Sequence, residues 1–379
     1  MKNIRSYSWG QANISWSNVI EELLHSAEKQ GHKPYLLSTN GYKGMKYWNA
    51  ARGIDSSQQH RTFTKNGWVF DIDLTYTVPQ NFPDRFLASS KSKMAIFAYE
   101  SSIMPQRWSQ FYHHVDWILP PSKYCAEMIR KNQCPEEKIR VVPHGVDTSV
   151  FNPSVEPVEL NTEKKFKFFC LSEPHYRKQL HKLLPLFCEH FTAKDDVSLV
   201  LKTKIFSTHE LLADKKEHEI DLRPVLMELK KKHGENMPEI KIIGHRLKNI
   251  AALYRACDAF VLMTASEGWC VPYLEALACG IPVIAPRHGG QLEFLNDSNA
   301  VLTKCGVRRA ELSELYWGGD PKGLVGDPDP VAYIQAMKDM VANHNSQEIK
   351  NKVLNGLETA AELTWDNAMS QIIRISEET

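Results

Sequence analysis

The stretch Ser266-Glu267-Gly268-Trp269-Cys270-Val271-Pro272-Tyr273-Leu274-Glu275-Ala276-Leu277-Ala278-Cys279-Gly280-Ile281-Pro282-Val283-Ile284-Ala285 reads as a loop, a helix and a strand in succession. An apolar run, Ala259 to Met263, ends just ahead of it near Thr264 and reads as a strand. Pro272 suits the first helical position, where its missing N–H removes no intrahelical bond. Gly280 suits the helix C-terminus, where a left-handed backbone is common. Ile281 to Ala285 is the next buried strand. Strand, loop, helix and strand make the repeating unit of an open parallel sheet, and in such sheets ligands bind beyond the carboxyl ends of the strands, where this loop lies.

Working outward, the same alternation covers both halves of the chain and predicts parallel sheets. In the first half, Ser17 to Gln30 reads as an amphipathic helix closed by Gly31. Pro34 to Ser38, Trp68 to Tyr76, Met94 to Tyr99, Trp117 to Leu119 and Lys138 to Val142 read as strands. Ser122 to Asn132 reads as a helix with Ser122 as its N-cap. Pro143-His144-Gly145-Val146-Asp147, with Asn152-Pro153 and Pro157, reads as a linker. The pattern then restarts, with strands at Phe166 to Leu171, Ser198 to Lys202 and Ile240 to Ile243. His181 to Phe191 and Leu211 to His233 read as helices, the Lys230-Lys231-Lys232 run being a solvated face. These breaks divide the chain near residue 150.

The 379 residues are 42% hydrophobic and 24% charged, enough for two globular domains with ordinary cores. A net charge of +1 argues against a wholesale electrostatic grip on nucleic acid or anionic lipid. The eight cysteines form no Cys-x-x-Cys pair, so a reduced, cytoplasmic protein with buried thiols is the simplest reading. Met1 to Gly10 has no apolar run that would mark a signal peptide, and no stretch approaches ~18 consecutive apolar residues. Membrane contact, if any, is expected to be peripheral.

The helix start offers backbone N–H groups and positive potential, which suit a diphosphate. Glu267 and Glu275 flank it. A carboxylate repels phosphate, so these acids need donors, and vicinal sugar hydroxyls supply them. Glu275, one turn into the helix, could hold a ribose diol, and Glu267 the hydroxyls of a second sugar.

This stretch resembles the Glu-x7-Glu motif of retaining glycosyltransferase family 4, the glycosyl transferases of group 1. Further similarity lies in Val141-Val142-Pro143-His144-Gly145-Val146-Asp147 with Phe151-Asn152-Pro153, in Arg177-Lys178, in His288-Gly289-Gly290 with Glu293, and in Trp365 with the helix after it. Tyr99-Glu100-Ser101 and Pro120-Pro121-Ser122 are similar to one branch of that family. The resemblance implies the GT-B architecture: two Rossmann-like, doubly wound parallel-sheet α/β domains facing across a cleft. It places an acceptor domain at 1–150, joined by the returning helix 365–379, and a nucleotide-sugar donor domain at 151–364. It implies a hexosyltransferase that uses a UDP- or GDP-linked sugar and a carbohydrate, glycolipid or other hydroxyl acceptor, retains anomeric configuration and requires neither metal nor cofactor. Carried over by position, the donor-binding residues are Gly10, Arg177, Lys178, His245, Glu267, Gly268, Trp269, Cys270, Val271 and Glu275. The catalytic candidates are Glu267, Lys178 and, nearest to the family's N-domain catalytic position, Glu100. His245 and Arg246 match positions that touch the base or phosphate.

The sequence departs from the family in places. The family usually has glycine where Cys270 stands, often an arginine where this chain has Ser172-Glu173-Pro174, and usually a glycine pair where it has Trp9-Gly10-Gln11. Asp71-Ile72-Asp73 matches the metal motif of a different glycosyltransferase fold, but a solvated strand edge is the simpler account. Six of the nine tryptophans lie in the first 120 residues, where core packing explains them before an acceptor groove does. His113-His114 lacks ligand spacing. No Gly-x-Ser-x-Gly, Walker, Gly-x-Gly-x-x-Gly or His-Glu-x-x-His motif is present. A nucleotide-sugar epimerase, a phosphorylase and a non-catalytic sugar-nucleotide-binding homologue stay open as alternatives on the same architecture.

Overall fold

A computed structural model describes residues 1–8, 15–38, 69–204, 218–245, 247, 249–315 and 319–378. It divides into two units. The first comprises Met1–Tyr99, Gln106–Gly145 and Leu363–Thr379, and the second Glu100–Pro105 and Val146–Glu362. The chain thus leaves the first unit after Gly145 and returns at Leu363. Glu100–Pro105 belongs with the second unit because Ser102 N donates to Leu324 O (3.0 Å) and Leu324 N to Ser102 Oγ (2.7 Å).

In the first unit β1 (Asn3–Ser8), β2 (Lys33–Ser38), β3 (Ile72–Tyr76), β4 (Ser92–Ile96) and β5 (Trp117–Leu119) form a parallel sheet in the order β2-β1-β3-β4-β5. Four of these answer to strands read from the sequence; β1 does not. Its sequence Asn-Ile-Arg-Ser-Tyr-Ser is too polar to read as an interior strand, yet it lies between β2 and β3. The reason is a buried ion pair: Arg5 Nε lies 3.2 Å from Asp73 Oδ1, and Asp73 Oδ2 also accepts from Leu87 N at 2.8 Å. Burial pushes the Asp73 carboxyl up to about 6 against the pull of Arg5. Asp73 is therefore an interior ion, which corrects the expectation of a solvated strand edge. Asp71 is taken by Asn3 N and Lys91 Nζ, both at 2.8 Å.

The helix Ser15–Lys29 and the returning helix Trp365–Ile375 share one core with this sheet, built on Ile4, Leu24, Leu74, Met94, Met369 and Ile372. Ser26 Oγ donates to Asp366 Oδ1 at 2.5 Å, tying the two helices. Gly145 passes so close to the start of the returning helix that a Cβ there would stand 2.2 Å from Trp365 N. Only glycine permits that approach. The Lys123–Lys131 helix begins as expected, with Ser122 Oγ accepting from Cys125 N at 3.2 Å.

The expected strand Lys138 to Val142 does not form. Glu136–Lys138 is a 3-10 turn, and 139–142 follows β5 through one bridge, Ile118↔Ile139, and the bonds Arg140 N to Ile118 O and Val142 N to Pro120 O. Pro120 and Pro121 end β5 after three residues, and proline lacks the N–H that would continue the ladder.

In the second unit β6 (Phe166–Leu171), β7 (Val197–Lys202), β8 (Glu239–Ile243), β9 (Ala259–Val261), β10 (Val283–Pro286) and β11 (Val301–Thr303) form a parallel sheet in the order β11-β10-β9-β6-β7-β8. An antiparallel hairpin of β12 (Cys305–Arg309) and β13 (Leu324–Pro328) follows, then the helices Pro330–Asn343 and Gln347–Glu362. The helix expected from Leu211 begins only at Leu222. Asp221 caps it by accepting from Arg223 N, and Glu219 is bridged instead to His175. Residues 211–217 lie outside the described residues. Lys230, Lys231 and Lys232 are exposed, as a solvated face requires. The eight cysteines are free, seven of them buried. Among the described residues no helix is long and apolar enough to cross a membrane.

Candidate active site

The strand order of the second unit reverses between β6 and β9, which pair in parallel through Phe168↔Ala259 and Phe169↔Phe260. Connections that leave such a switch point run in opposite directions and open a crevice at the strand ends. The loop after β6 carries Arg177 and Lys178 on a 3-10 turn, Tyr176–Lys178, capped by His175 Nδ1, which accepts from Arg177 N at 3.1 Å. The loop after β9 carries Glu267. Backbone bonds stitch the two together: Ala265 N donates to Arg177 O at 2.8 Å, and the Arg177 guanidinium donates to Ser266 O.

Glu267 is 4% exposed. Its Oε1 receives Lys178 Nζ at 2.6 Å, Thr264 Oγ1 at 2.7 Å and Arg177 NH1 at 3.0 Å. Burial by itself would raise this carboxyl. Arg177, Lys178 and the hydrogen bonds from Lys178 and Thr264 overturn that and hold it at about 2. Arg177 reaches a second acid with its other arm, NH2 lying 3.2 Å from Glu100 Oε1. Burial raises the Glu100 carboxyl, Arg177 lowers it, and Glu267 raises it again; the balance is upward. The backbone of Glu267 is clamped as well: Gly290 N donates to its carbonyl at 2.6 Å, and Gly289, at φ +93°, packs against its backbone. That close packing gives the His288-Gly289-Gly290 segment its physical role.

The helix Val271–Ala278 starts beside this loop. Its N-cap is Cys270, buried, at φ 71° and ψ 74°. That is a left-handed conformation, which glycine adopts freely and which costs other residues about 1–2 kcal/mol. The backbone here explains why the family has glycine at this position. Trp269 is buried with its ring centroid 4.7 Å from that of Phe294, so its indole anchors the loop from inside. Gly268 is buried and Val271 half-buried. Gly280 ends the helix at φ +70°, as its place in the sequence predicts.

Glu275 lies one turn into the helix, half-buried, and its Oε2 accepts from Tyr254 OH at 2.7 Å. The structure therefore brings Lys178, Arg177, Glu267 and Glu100 into one cluster and gives Glu275 a separate partner. His245 is exposed, two residues past the end of the edge strand β8. Gly10 and Arg246 lie outside the described residues. Thr264, His175 and Tyr254 hold the site residues in place and were not read from the sequence: no spacing links Tyr254 to Glu275, and Thr264 is visible there only as a strand end. Among the described residues no group of three or more His, Cys, Asp or Glu could hold a metal ion.

Residues 156–315 match the family Glycosyl transferases group 1, and residues 95–150 match Glycosyltransferase Family 4. The first match spans Arg177, Lys178, Glu267 and Glu275, and the second includes Glu100. The chain belongs to the group 1, family-4 type glycosyltransferases. This group 1 member is 28% identical over 197 residues to alpha-monoglucosyldiacylglycerol synthase of Streptococcus pneumoniae, an alignment that takes in 49% of this chain and 40% of the relative. It is 27% identical over 127 residues to O-antigen chain mannosyltransferase B of Escherichia coli, covering 33% of this chain and 26% of that one. The chain thus spans less than half the length of either relative. Among solved structures it superposes on a glycosyltransferase from Rickettsia africae with a TM-score of 0.71 at 15% identity, over 100% of this chain and 98% of the other. Anabaena HepE, solved with UDP and glucose, gives 0.69 at 12% identity over 100% of both chains. At such identities the likeness establishes the fold, which is GT-B.

Proposed function

We propose that this protein is a retaining hexosyltransferase that moves a sugar from a UDP- or GDP-linked donor to a hydroxyl acceptor without a metal. One observation carries the reading: Lys178 and Arg177 converge on Glu267 at the carboxyl ends of two adjacent parallel strands, beside a helix start. Cations fixed in a water-poor site stabilise the negative charge that develops on a departing diphosphate. The first-turn N–H groups add potential of the same sign. Glu267 orients both cations and presents its carboxylate toward sugar hydroxyls. Glu275, steadied by Tyr254, accepts from a ribose diol. Donor binding belongs to the second unit and acceptor binding to the first. The names of the relatives, a glucosyl-lipid synthase and a mannosyltransferase, favour a hexose, and HepE, solved with UDP-glucose, favours a nucleoside diphosphate leaving group.

In the proposed reaction the bond between the anomeric carbon and the phosphate oxygen breaks as the acceptor oxygen bonds the same face of that carbon. The acceptor's proton passes to the leaving phosphate oxygen, which Lys178 stabilises. Positively charged side chains fill the place a divalent ion would otherwise take. The test is transfer from UDP- and GDP-hexoses to an acceptor panel in the presence of a chelator, with the anomeric configuration of the product read by proton NMR. Retained configuration and chelator-insensitive turnover are expected. An inverted product or a strict metal requirement would refute the corresponding part. Donor binding without transfer would make the protein a sugar-nucleotide-binding homologue.

A further inference from the structure

The charge around Arg177 is more fully neutralised than a diphosphate site needs to be. Its NH1 lies 3.0 Å from Glu267 Oε1 and its NH2 lies 3.2 Å from Glu100 Oε1, while Lys178 Nζ lies 2.6 Å from the same Glu267 oxygen. With both acids ionised, two cations face two anions. A diphosphate arriving at this group adds negative charge where none is lacking, and it competes with both acids for the same N–H donors. One acid must give way.

The two acids are not equivalent. Glu267 is fixed by three donors on one oxygen and by the Gly290 N–H on its carbonyl. The Glu100 side chain is 26% exposed and meets the cluster through one arm of Arg177. Its segment is pinned two residues on, where Ser102 pairs with Leu324, so the backbone stays while the carboxyl can swing.

We propose that Glu100 is a displaceable counter-ion: it neutralises Arg177 while no donor is bound, and the donor diphosphate takes its place on Arg177 NH2 as Glu100 takes up a proton from water. This rests on the reading of Arg177 and Lys178 as diphosphate-binding groups. The charged groups that act on Glu100 are Arg177 and Lys178 on the turn after β6 and Glu267 on the loop after β9. Displacement removes the cation that keeps Glu100 ionised and brings a second anion close, and both changes favour its protonated form. Glu267, held at about 2, keeps its charge throughout. Donor binding therefore takes up a proton and weakens as pH rises.

The test is calorimetry of UDP-glucose and GDP-mannose on the full chain from pH 6 to 8.5, in buffers of different ionisation heat. The pyrophosphate of either sugar nucleotide stays fully ionised over this range, so uptake is assigned to the protein. Wild type is expected to take up as much as one proton per donor bound. Glu100→Gln, close to isosteric, is expected to bind about tenfold tighter than wild type at pH 8. It is also expected to lose this proton uptake. Equal affinity and equal proton counts for the two proteins would overturn the proposal, and so would zero uptake by wild type, a result that needs no variant. If neither sugar nucleotide binds wild type, the diphosphate reading itself fails and the role of Glu100 with it.

Discussion

Replacing Glu267 by glutamine removes the charge that Arg177, Lys178 and Thr264 share while keeping the size of the side chain. The wild-type carboxyl titrates at about 2 in the folded protein against an ordinary value of 4.5. A difference of about 2.5 units corresponds to about 3 kcal/mol of folding stability. The sign follows from proton counting. Between these two values the unfolded chain binds more protons than the folded one, so stability rises with pH across the window. The contribution is fully present above pH 4.5 and is lost as pH falls toward 2. Glu267→Gln never has it. The stability gap between the two proteins is thus expected to be about 3 kcal/mol at pH 7 and to close as pH falls from 4.5 to 2. Glu100 returns part of the gap: Glu267 helps raise its pKa, so without that charge Glu100 ionises more easily beside Arg177. Hydrogen exchange of amides in β9 and β10 reads the second unit alone, and comparing the same peptides at each pH cancels the chemistry of exchange. A gap that does not change with pH would refute the electrostatic account, and no gap at pH 7 would refute the cluster itself.

Gly145→Ala is expected to cost the first unit about 3 kcal/mol, because the new methyl meets backbone at Thr364 and Trp365. Exchange in 365–375 would report it, and unchanged protection would contradict the close approach. Cys270→Gly is expected to stay within about 1 kcal/mol of wild type while Cys270→Val loses about 2 kcal/mol, since a β-branched residue resists the left-handed backbone. Equal losses in thermal unfolding would discard the strain argument. Glu275→Ala is expected to weaken binding of the preferred nucleotide about tenfold, as a carboxylate partner of the ribose is lost; unchanged affinity in calorimetry would remove that role. Lys178→Ala is expected to lower kcat by about 100-fold with a smaller change in donor affinity, and wild-type turnover would discard its role at the leaving group.

Much of the architecture is legible in the sequence where local chemistry is self-sufficient. Phe166–Leu171 and Trp117–Leu119 are apolar runs whose burial admits one reading, and both form strands over those residues. Ser122 and Gly280 mark helix ends because the geometry each end needs is set by the residue itself. The polar strand β1 was hidden because its interior place depends on Asp73, which lies 68 residues beyond Arg5. The hairpin Cys305–Arg309 with Leu324–Pro328 was hidden for a similar reason. Its strands carry little apolar alternation, and Gly326 N is instead bonded to Ala265 O at 2.7 Å behind the site loop.

By itself the sequence determined that a loop-helix-strand unit stands at Thr264–Ala285 with acids in its loop and one turn into its helix, since strand burial, proline and glycine act within a few residues. Only the tertiary structure decided what those acids meet. Arg177 and Lys178 lie 90 and 89 residues before Glu267, and they reach it because β6 and β9 became neighbours in the sheet. Tyr254 reaches Glu275 from a different helix. Charges act through space, and the order of strands, which no local pattern encodes, sets the distances over which they act.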